Sequence, residues 1–378
     1  MITGDALINA FIDANILIAV AFVLWKLARA GLRHAGLKHA YGTELQLLNG
    51  VFLAILCAPF AVLGLSMLQG SGYATAVNLN LSDMVVSHYL NGGFQMKAAQ
   101  FEQLLLARDT FTLNVAQAAG WAAWVAIFAF AAGLAMGAVR LGYSMLCLRR
   151  IVTDSFAWRR FGRVHICLSN RVLVPFSTRG VRRYYVVIPA HMLGEPSALR
   201  VSLAHEFQHL RQGDIEWEIL LETLKPLFFL NPFFHAWKRQ VETLRELSCD
   251  SRVLNRGRIA VGEYADTLLS ICQQSLRRDR LFVVAVPKVT LVTADRLGGR
   301  GSFLEHRVRS LFDASRLRHP RLILGALMLP LVALVMMTAV AIQHPGDWSQ
   351  DRLMLSTVVN LERLDEITRA SGFGLARN

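Results

Sequence analysis

His205 and His209 stand four residues apart, with Glu206 directly after the first, in the run His205-Glu206-Phe207-Gln208-His209. On a helix this spacing puts both imidazoles on one face, one turn apart, where a divalent metal ion can bridge them. Glu206 projects from nearly the same face, so its carboxylate can reach a water at the metal's open position and act as general base. That is the chemistry of a zinc peptidase. A catalytic zinc usually has three protein ligands, so a third is expected from another helix. Glu246-Leu247-Ser248-Cys249-Asp250 offers it. Glu246 and Asp250 lie one turn apart, so Glu246 can bind the metal while Asp250 accepts a hydrogen bond from the far nitrogen of a ligating histidine and fixes its tautomer. The bland reading of this block is an exposed helix whose acids pair with Arg245 and Arg252. Cys249 is a tempting sulfur ligand, but with no partner cysteine nearby it reads as a small buried residue.

These residues need elements to position them. Val186-Val187-Ile188-Pro189 reads as a strand, and a helix is expected from Glu195 into the motif, with Pro196 suited to its first turn. Leu199, Leu203 and Leu210 recur at helical spacing, so the motif helix is amphipathic and partly buried. Val164 to Pro175 and Tyr184 to Pro189 read as a strand pair separated by a turn-rich Ser177 to Arg183. That hairpin is the candidate shelf on which a substrate backbone adds as a strand, with an ordinary structural hairpin as the alternative. Ile219 to Trp237 is nearly as apolar as a membrane span but is broken by Pro226 and Pro232. Because it lies between residues that must share one compartment, it reads as a re-entrant or interfacial helical hairpin, with a core helix pair as the competing reading.

The combination of H-E-F-Q-H, Gly213-Asp214, Asn231-Pro232 and Glu246-Leu-Ser-Cys-Asp250 resembles the membrane metallopeptidases of the BlaR/MecR antirepressor type. The likeness extends through Tyr264-Ala-Asp-Thr-Leu-Leu269 and Arg307-Val-Arg-Ser-Leu311, and back to Val174-Pro175-Phe176 and Ile188-Pro189, covering about residues 150 to 320. It implies one zinc per chain on His205, His209 and Glu246, with Glu206 as catalytic base and Asp214 and Asp250 in support. It also implies a protein substrate, a cytosolic transcriptional repressor cleaved when an outer signal reaches the site.

Composition agrees with a membrane protein. The chain has 378 residues, 54% of them hydrophobic, and a mean hydropathy of +0.38. Four stretches have spanning length, at about 7 to 25, 45 to 68, 118 to 139 and 321 to 342. The first lacks a basic leader and a cleavage site, so it reads as an anchor rather than a signal peptide. Lys26, Arg29, Arg33 and Lys38 lie between the first two spans against Glu44, which places that loop inside; Lys97 and Arg108 in the loop of residues 69 to 114 are outweighed by Asp83, Glu102 and Asp109. The net charge of +13 and pI near 10.1 then belong to the inner segments and their attraction to an anionic leaflet, with no direct nucleic-acid binding required. Cys57, Cys147, Cys167, Cys249 and Cys272 avoid the outer segments, so no disulfide is expected, and no C-x-x-C supports a cysteine-built zinc module.

The expected fold is a polytopic α-helical membrane protein of four spans with a cytoplasmic α+β gluzincin-like zinc metallopeptidase domain. Residues 1–139 form a three-span region with outer loop 69–114, residues 140–320 the metal domain, 321–342 the fourth span, and 343–378 a short outer tail. Both termini lie outside a bacterial-type inner membrane, and a homodimer is compatible with the sequence. The residues after Ile342 contain no lysine, so the Ser-x-x-Lys nucleophile of penicillin-sensing family members is not expected. Gly346-Asp347 reads as a start, and Leu353, Val358, Leu361, Leu364 and Ile367 as an amphipathic helix lying on the outer leaflet or on the outer loop. The expected function is a membrane zinc endopeptidase acting as an antirepressor. A constitutive quality-control or processing peptidase is the alternative among enzymes, and a non-catalytic transducer or scaffold the alternative outside them, against which an intact Glu206 argues.

Overall fold

A computed structural model of the chain describes residues 4–34, 40–70, 81–93, 96–278, 300–312, 320–342 and 350–370. In chain order the helices α1 (Gly4–His34), α2 (Tyr41–Gly70), α3 (Leu81–Leu90), α4 (Ala98–Ala116) and α5 (Gly120–Thr153) precede four strands, β1 (Phe156–Phe161), β2 (Val164–Ser169), β3 (Phe176–Arg179) and β4 (Tyr184–Pro189). Then come α6 (Pro196–Gln212), α7 (Asp214–Leu224), α8 (Pro232–Leu254), α9 (Val261–Arg278), α10 (Arg300–Phe312), α11 (Pro320–Ile342) and α12 (Gln350–Ala370). Among the described residues four helical stretches are long and apolar enough to cross a membrane: Leu7–His34, Tyr41–Val62, Gly120–Thr153 and Gly325–Ile342. The internal prolines Pro59 and Pro330 sit in α2 and α11, where neighbouring helices can satisfy the backbone groups that proline frees.

The chain divides into two compact units. The first comprises residues 1–21, 51–130 and 330–378. In it α12 packs on α3 and α4 around Val86, Ala98, Phe101, Leu355 and Val359. Lys97 pairs with Glu366, Arg363 with Glu102, and the Ala99 N–H donates to Glu362. The amphipathic C-terminal helix therefore rests on the helices of the 69–114 loop, while Gly346-Asp347 lies outside the described residues.

The second unit, residues 22–50 and 131–329, carries the histidine motif. Its sheet has the order β1-β2-β4-β3. The strands alternate as a sheet covered on both faces must. Ile166, Val186 and Ile188 face a core with Met192, Ala198, Leu268 and Ile271, whereas Cys167 and Val187 join Phe176 under Leu148, Ile151 and Val152 of α5. The expected pairing of Val164–Pro175 with Tyr184–Pro189 as a hairpin is corrected. β2 and β4 are parallel, and the hairpin partner of β4 is β3, which runs from Phe176 into the stretch read as turn-rich. Phe176, Ser177 and Thr178 are all buried, and a strand of four residues is too short to reveal its period in sequence.

The apolar stretch from Ile219 to Trp237 resolves into the end of α7, a turn, and the start of α8. Asn231 caps α8 by accepting from the N–H groups of Phe233 and Phe234, and Pro232 occupies the first turn, where its missing N–H costs nothing. The turn docks on membrane-length helices of the same unit. A Cβ at Gly133 of α5 would lie 2.2 Å from Phe229, and one at Gly137 would lie 2.9 Å from Pro226. Phe22 of α1 meets Phe233 and Trp237 at ring-centroid distances of 6.1 and 6.2 Å.

The glycine contacts generate a test. Gly133→Val must push Phe229 aside, and overpacking of this kind costs about 1–3 kcal/mol. We expect a lower thermal unfolding temperature for Gly133→Val in detergent, and little change for Gly142→Val on the same helix, where an added Cβ meets nothing within 4 Å. Equal effects of the two would show that the close approach of α5 to the turn does not stabilise the unit.

Candidate metal centre

α6 begins with Pro196 in its first turn and ends at Gly213, whose left-handed backbone (φ 73°) closes the helix and at once opens α7. A residue without Cβ adopts that conformation at no steric cost. The reversal folds Asp214 back onto α6, where its Oδ2 accepts from His209 Nδ1 at 2.7 Å. α8 crosses α6 and brings its own acidic face against the histidines. All of His205, Glu206, His209 and Glu246 are fully buried.

The two imidazoles converge through their Nε2 atoms, 3.0 Å apart. Glu246 meets both, with Oε2 3.5 Å from His205 Nε2 and Oε1 3.8 Å from His209 Nε2. The opposite nitrogens are engaged elsewhere. His205 Nδ1 lies 2.8 Å from the Tyr264 hydroxyl and 3.3 Å from Asp250 Oδ1, and Tyr264 donates to the same Asp250 oxygen at 2.6 Å. With Nδ1–H donated to Asp250 and to Asp214, each ring directs its Nε2 lone pair into the space it shares with Glu246, the tautomer a metal ligand requires.

Four carboxylate oxygens at this place, both of Glu206 and both of Glu246, are buried with no hydrogen-bond donor. Leaving such groups bare costs several kcal/mol unless a cation compensates them. The electrostatics agree. Burial opposes the imidazolium of His209, yet Cys249, Asp214 and Glu246 outweigh it and push its pKa up to about 10. His205 moves the same way, with burial outweighed by Cys249, Tyr264 and Asp250. The surroundings thus favour positive charge where the imidazoles converge, and the donor set suits a divalent metal. Cys249 is a further candidate donor: His205, His209 and Cys249 each place a ligand atom within 4.8 Å of the others. Its sulfur lies 3.5 Å from His205 Nδ1, on the side of the ring already held by Tyr264 and Asp250.

Every residue singled out from the sequence is in this cluster: His205, Glu206, His209, Glu246, Asp214 and Asp250. The exposed-helix alternative for Glu246 and Asp250 does not hold, since both are buried and Arg245 is buried with them. Sequence reasoning gave no role to Tyr264, Arg307 or Glu218. Tyr264 and Arg307 stand in two of the stretches that carry the family likeness. Glu218 follows Asp214 by four residues, so a helix puts both on one face. Its carboxylate takes Arg245 at 2.6 Å and Lys238 at 3.0 Å, and Lys238 also reaches Glu222 and Glu242. β3 places the Ser177 hydroxyl beside Glu206.

A family model described as BlaR1 peptidase M56 matches residues 6–291, well over half of the chain. No curated protein matches the chain.

Removing one partner from a buried ion pair strands the other, at a cost of about 3–5 kcal/mol, whereas exposed helix pairs are worth about 0.5 kcal/mol or less. Glu218→Ala should therefore unfold the protein at markedly lower denaturant concentration. Glu305→Ala, which breaks the exposed pair with Arg309, should leave the midpoint unchanged. A Glu218→Ala midpoint equal to that of the parent would show the network to be dispensable for stability.

Proposed function

The chain belongs to the BlaR1 peptidase M56 family, and on that premise we propose that it is a membrane zinc endopeptidase whose metal is held by His205, His209 and Glu246 and whose general base is Glu206. The observation that carries this reading is the convergence of two buried Nε2 atoms on Glu246, beside a second buried carboxylate with no donor of its own. Cys249 is the weaker third ligand, because the His205 nitrogen nearest to it is already held by Tyr264 and Asp250. Bound there, zinc supplies a Lewis acid that polarises the scissile carbonyl and makes water acidic enough to attack near neutral pH.

The protein's own groups do the rest. Burial pushes the Glu206 carboxyl up from its ordinary value, against the opposing pull of His209 and His205. A carboxylate so poised takes a proton from the attacking water on one oxygen and delivers it to the departing amine. Asp214 and Asp250 hold the histidine rings in the orientation and tautomer that ligation needs. The candidate substrate shelf is the sheet beside α6, whose edge strand β3 exposes Arg179 at its end.

The basic excess between the first two spans supports a cytosolic position for the metal domain of residues 140–320 and outer positions for both termini. The substrate is then a cytosolic protein or one at the inner leaflet, and the family likeness favours a transcriptional repressor, which makes the protein an antirepressor in signal transduction. An intact, buried Glu206 speaks against a scaffold without activity, which needs no base.

Two outcomes test the reading. Purified protein should hold close to one zinc per chain, and His205→Ala or Glu246→Ala should lose it. Glu206→Gln should keep the metal while cleavage falls by orders of magnitude. Full zinc in Glu246→Ala would move the third ligand to Cys249, and cleavage surviving Glu206→Gln would remove the peptidase assignment.

Topology is tested separately. Reporter fusions after Leu37 and near Arg256 should read inside, and those after Met67 and near Gln343 outside. An outside signal near Arg256 would sink the cytosolic repressor as substrate.

A further inference from the structure

Glu246 is gripped from two sides. Arg245, its neighbour on α8, places Nε 3.7 Å from Oε1, and Arg307 of α10 places Nη1 3.5 Å from Oε2. Arg245 is anchored in turn by Glu218. Arg307 is anchored by Asp250 through two parallel contacts of 2.8 Å, from Nε to Oδ2 and from Nη2 to Oδ1. Both arginine side chains are 2% exposed.

The two arginines differ in what they tie together. Arg245 rides on the same helix as Glu246 and reaches only that carboxylate at the centre. Arg307 arrives from a different helix and spans two groups one turn apart on α8. One is Glu246 itself; the other is Asp250, which holds the far nitrogen of His205. A single planar fork thus constrains a ligand directly and a second ligand through its orienting carboxylate. It also separates two buried like charges at i and i+4, whose repulsion in a low-dielectric site is otherwise large. Two N–H directions of the plane are used on Asp250 while Nη1 faces Glu246 at 3.5 Å, an arrangement the ammonium of lysine does not reproduce.

We propose that Arg307 is a positioning residue of the metal centre: its guanidinium bridges Glu246 and Asp250 and thereby sets the geometry of both Glu246 and His205 as ligands. The inference rests on the metal reading above. It assigns to α10, an element sequence analysis left without a role, the task of completing a site otherwise built by α6 and α8. α10 is suited to it, since Leu311 is buried in the core that also holds Cys249 and Tyr264, and Leu304 and Val308 pack on the core under α6.

The test is zinc affinity, measured by competition with a chromophoric chelator on the full-length protein in nanodiscs, beside the unfolding temperature of the metal-free form. Arg307→Gln should weaken zinc about 10- to 100-fold, as loss of a group that orients ligands does. Arg307→Lys should be weakened too, because charge without the fork does not suffice. Added guanidinium ion should recover part of the affinity in Arg307→Ala. Arg309→Gln, on the exposed face of α10, should bind as the parent does. At saturating zinc kcat should fall with KM unchanged in Arg307→Gln.

Parental zinc affinity in Arg307→Gln, with only the metal-free unfolding temperature lowered, overturns the proposal in favour of a purely structural arginine. If Arg307→Gln does not fold, Arg307→Lys takes its place, and parental affinity there has the same force. A parent that binds no zinc overturns the metal reading itself, and a Glu246→Ala variant that keeps parental affinity overturns Glu246 as a ligand and the bridge with it. Zinc lost in Glu246→Ala but unchanged in the Arg307 variants overturns the bridge alone.

Discussion

The second unit is organised by the need to balance charge out of contact with water where α6 crosses α8. Five carboxylates (Glu206, Asp214, Glu218, Glu246 and Asp250) are buried there with three permanent cations, Lys238, Arg245 and Arg307. The difference is two negative charges, beside two imidazoles. Isolated buried charges are too costly to persist, so each must be paired or offset by a cation. Glu218 is offset by Arg245 and Lys238, Asp250 by Arg307, and Asp214 by the His209 N–H. Glu206 and Glu246 accept no hydrogen bond from these cations, although Arg307 and Arg245 approach Glu246 to 3.5 and 3.7 Å. A divalent cation held between the imidazoles would offset that charge.

That requirement explains why α7 and α8 form one hairpin. α7 contributes Asp214 and Glu218, α8 contributes Lys238, Arg245, Glu246 and Asp250, and the crossed pairs between them fix the register of the two helices. The far end of the same hairpin is apolar and abuts α5 at Gly133 and Gly137. Leu230 there is 70% exposed, and Leu227 and Phe233 are more than a third exposed. Leu221, Phe228, Phe234 and Trp237 of the same stretch are buried.

The local parts of the site are legible in the sequence and the long-range parts are not. His205 with His209, and Glu246 with Asp250, declare themselves because helical spacing alone puts each pair on one face. Pro196 and Gly213 bound α6 for reasons internal to single residues. By contrast, Arg307 is one of 40 Lys and Arg residues, and nothing in its own neighbourhood says that it crosses to Asp250. Arg245 beside an acid on a helix looks like a solvated pair until α7 covers it. The hairpin misreading has a similar origin, since β2 finds its parallel neighbour β4 across the intervening β3, and the pleat of a single strand does not name its partner.

Glu206 and Glu246 are equally buried and lie in one cluster, yet their acidities diverge. Burial raises both. At Glu246 the nearby His205 imidazole and the charges of His209 and Arg307 reverse that effect and hold the group at about 2. At Glu206 the pull of His209 and His205 does not overcome burial, and Glu246 adds repulsion. Neighbouring carboxylates driven apart in this way divide the labour: the one held ionised suits a permanent ligand, and the one raised toward neutrality suits proton transfer.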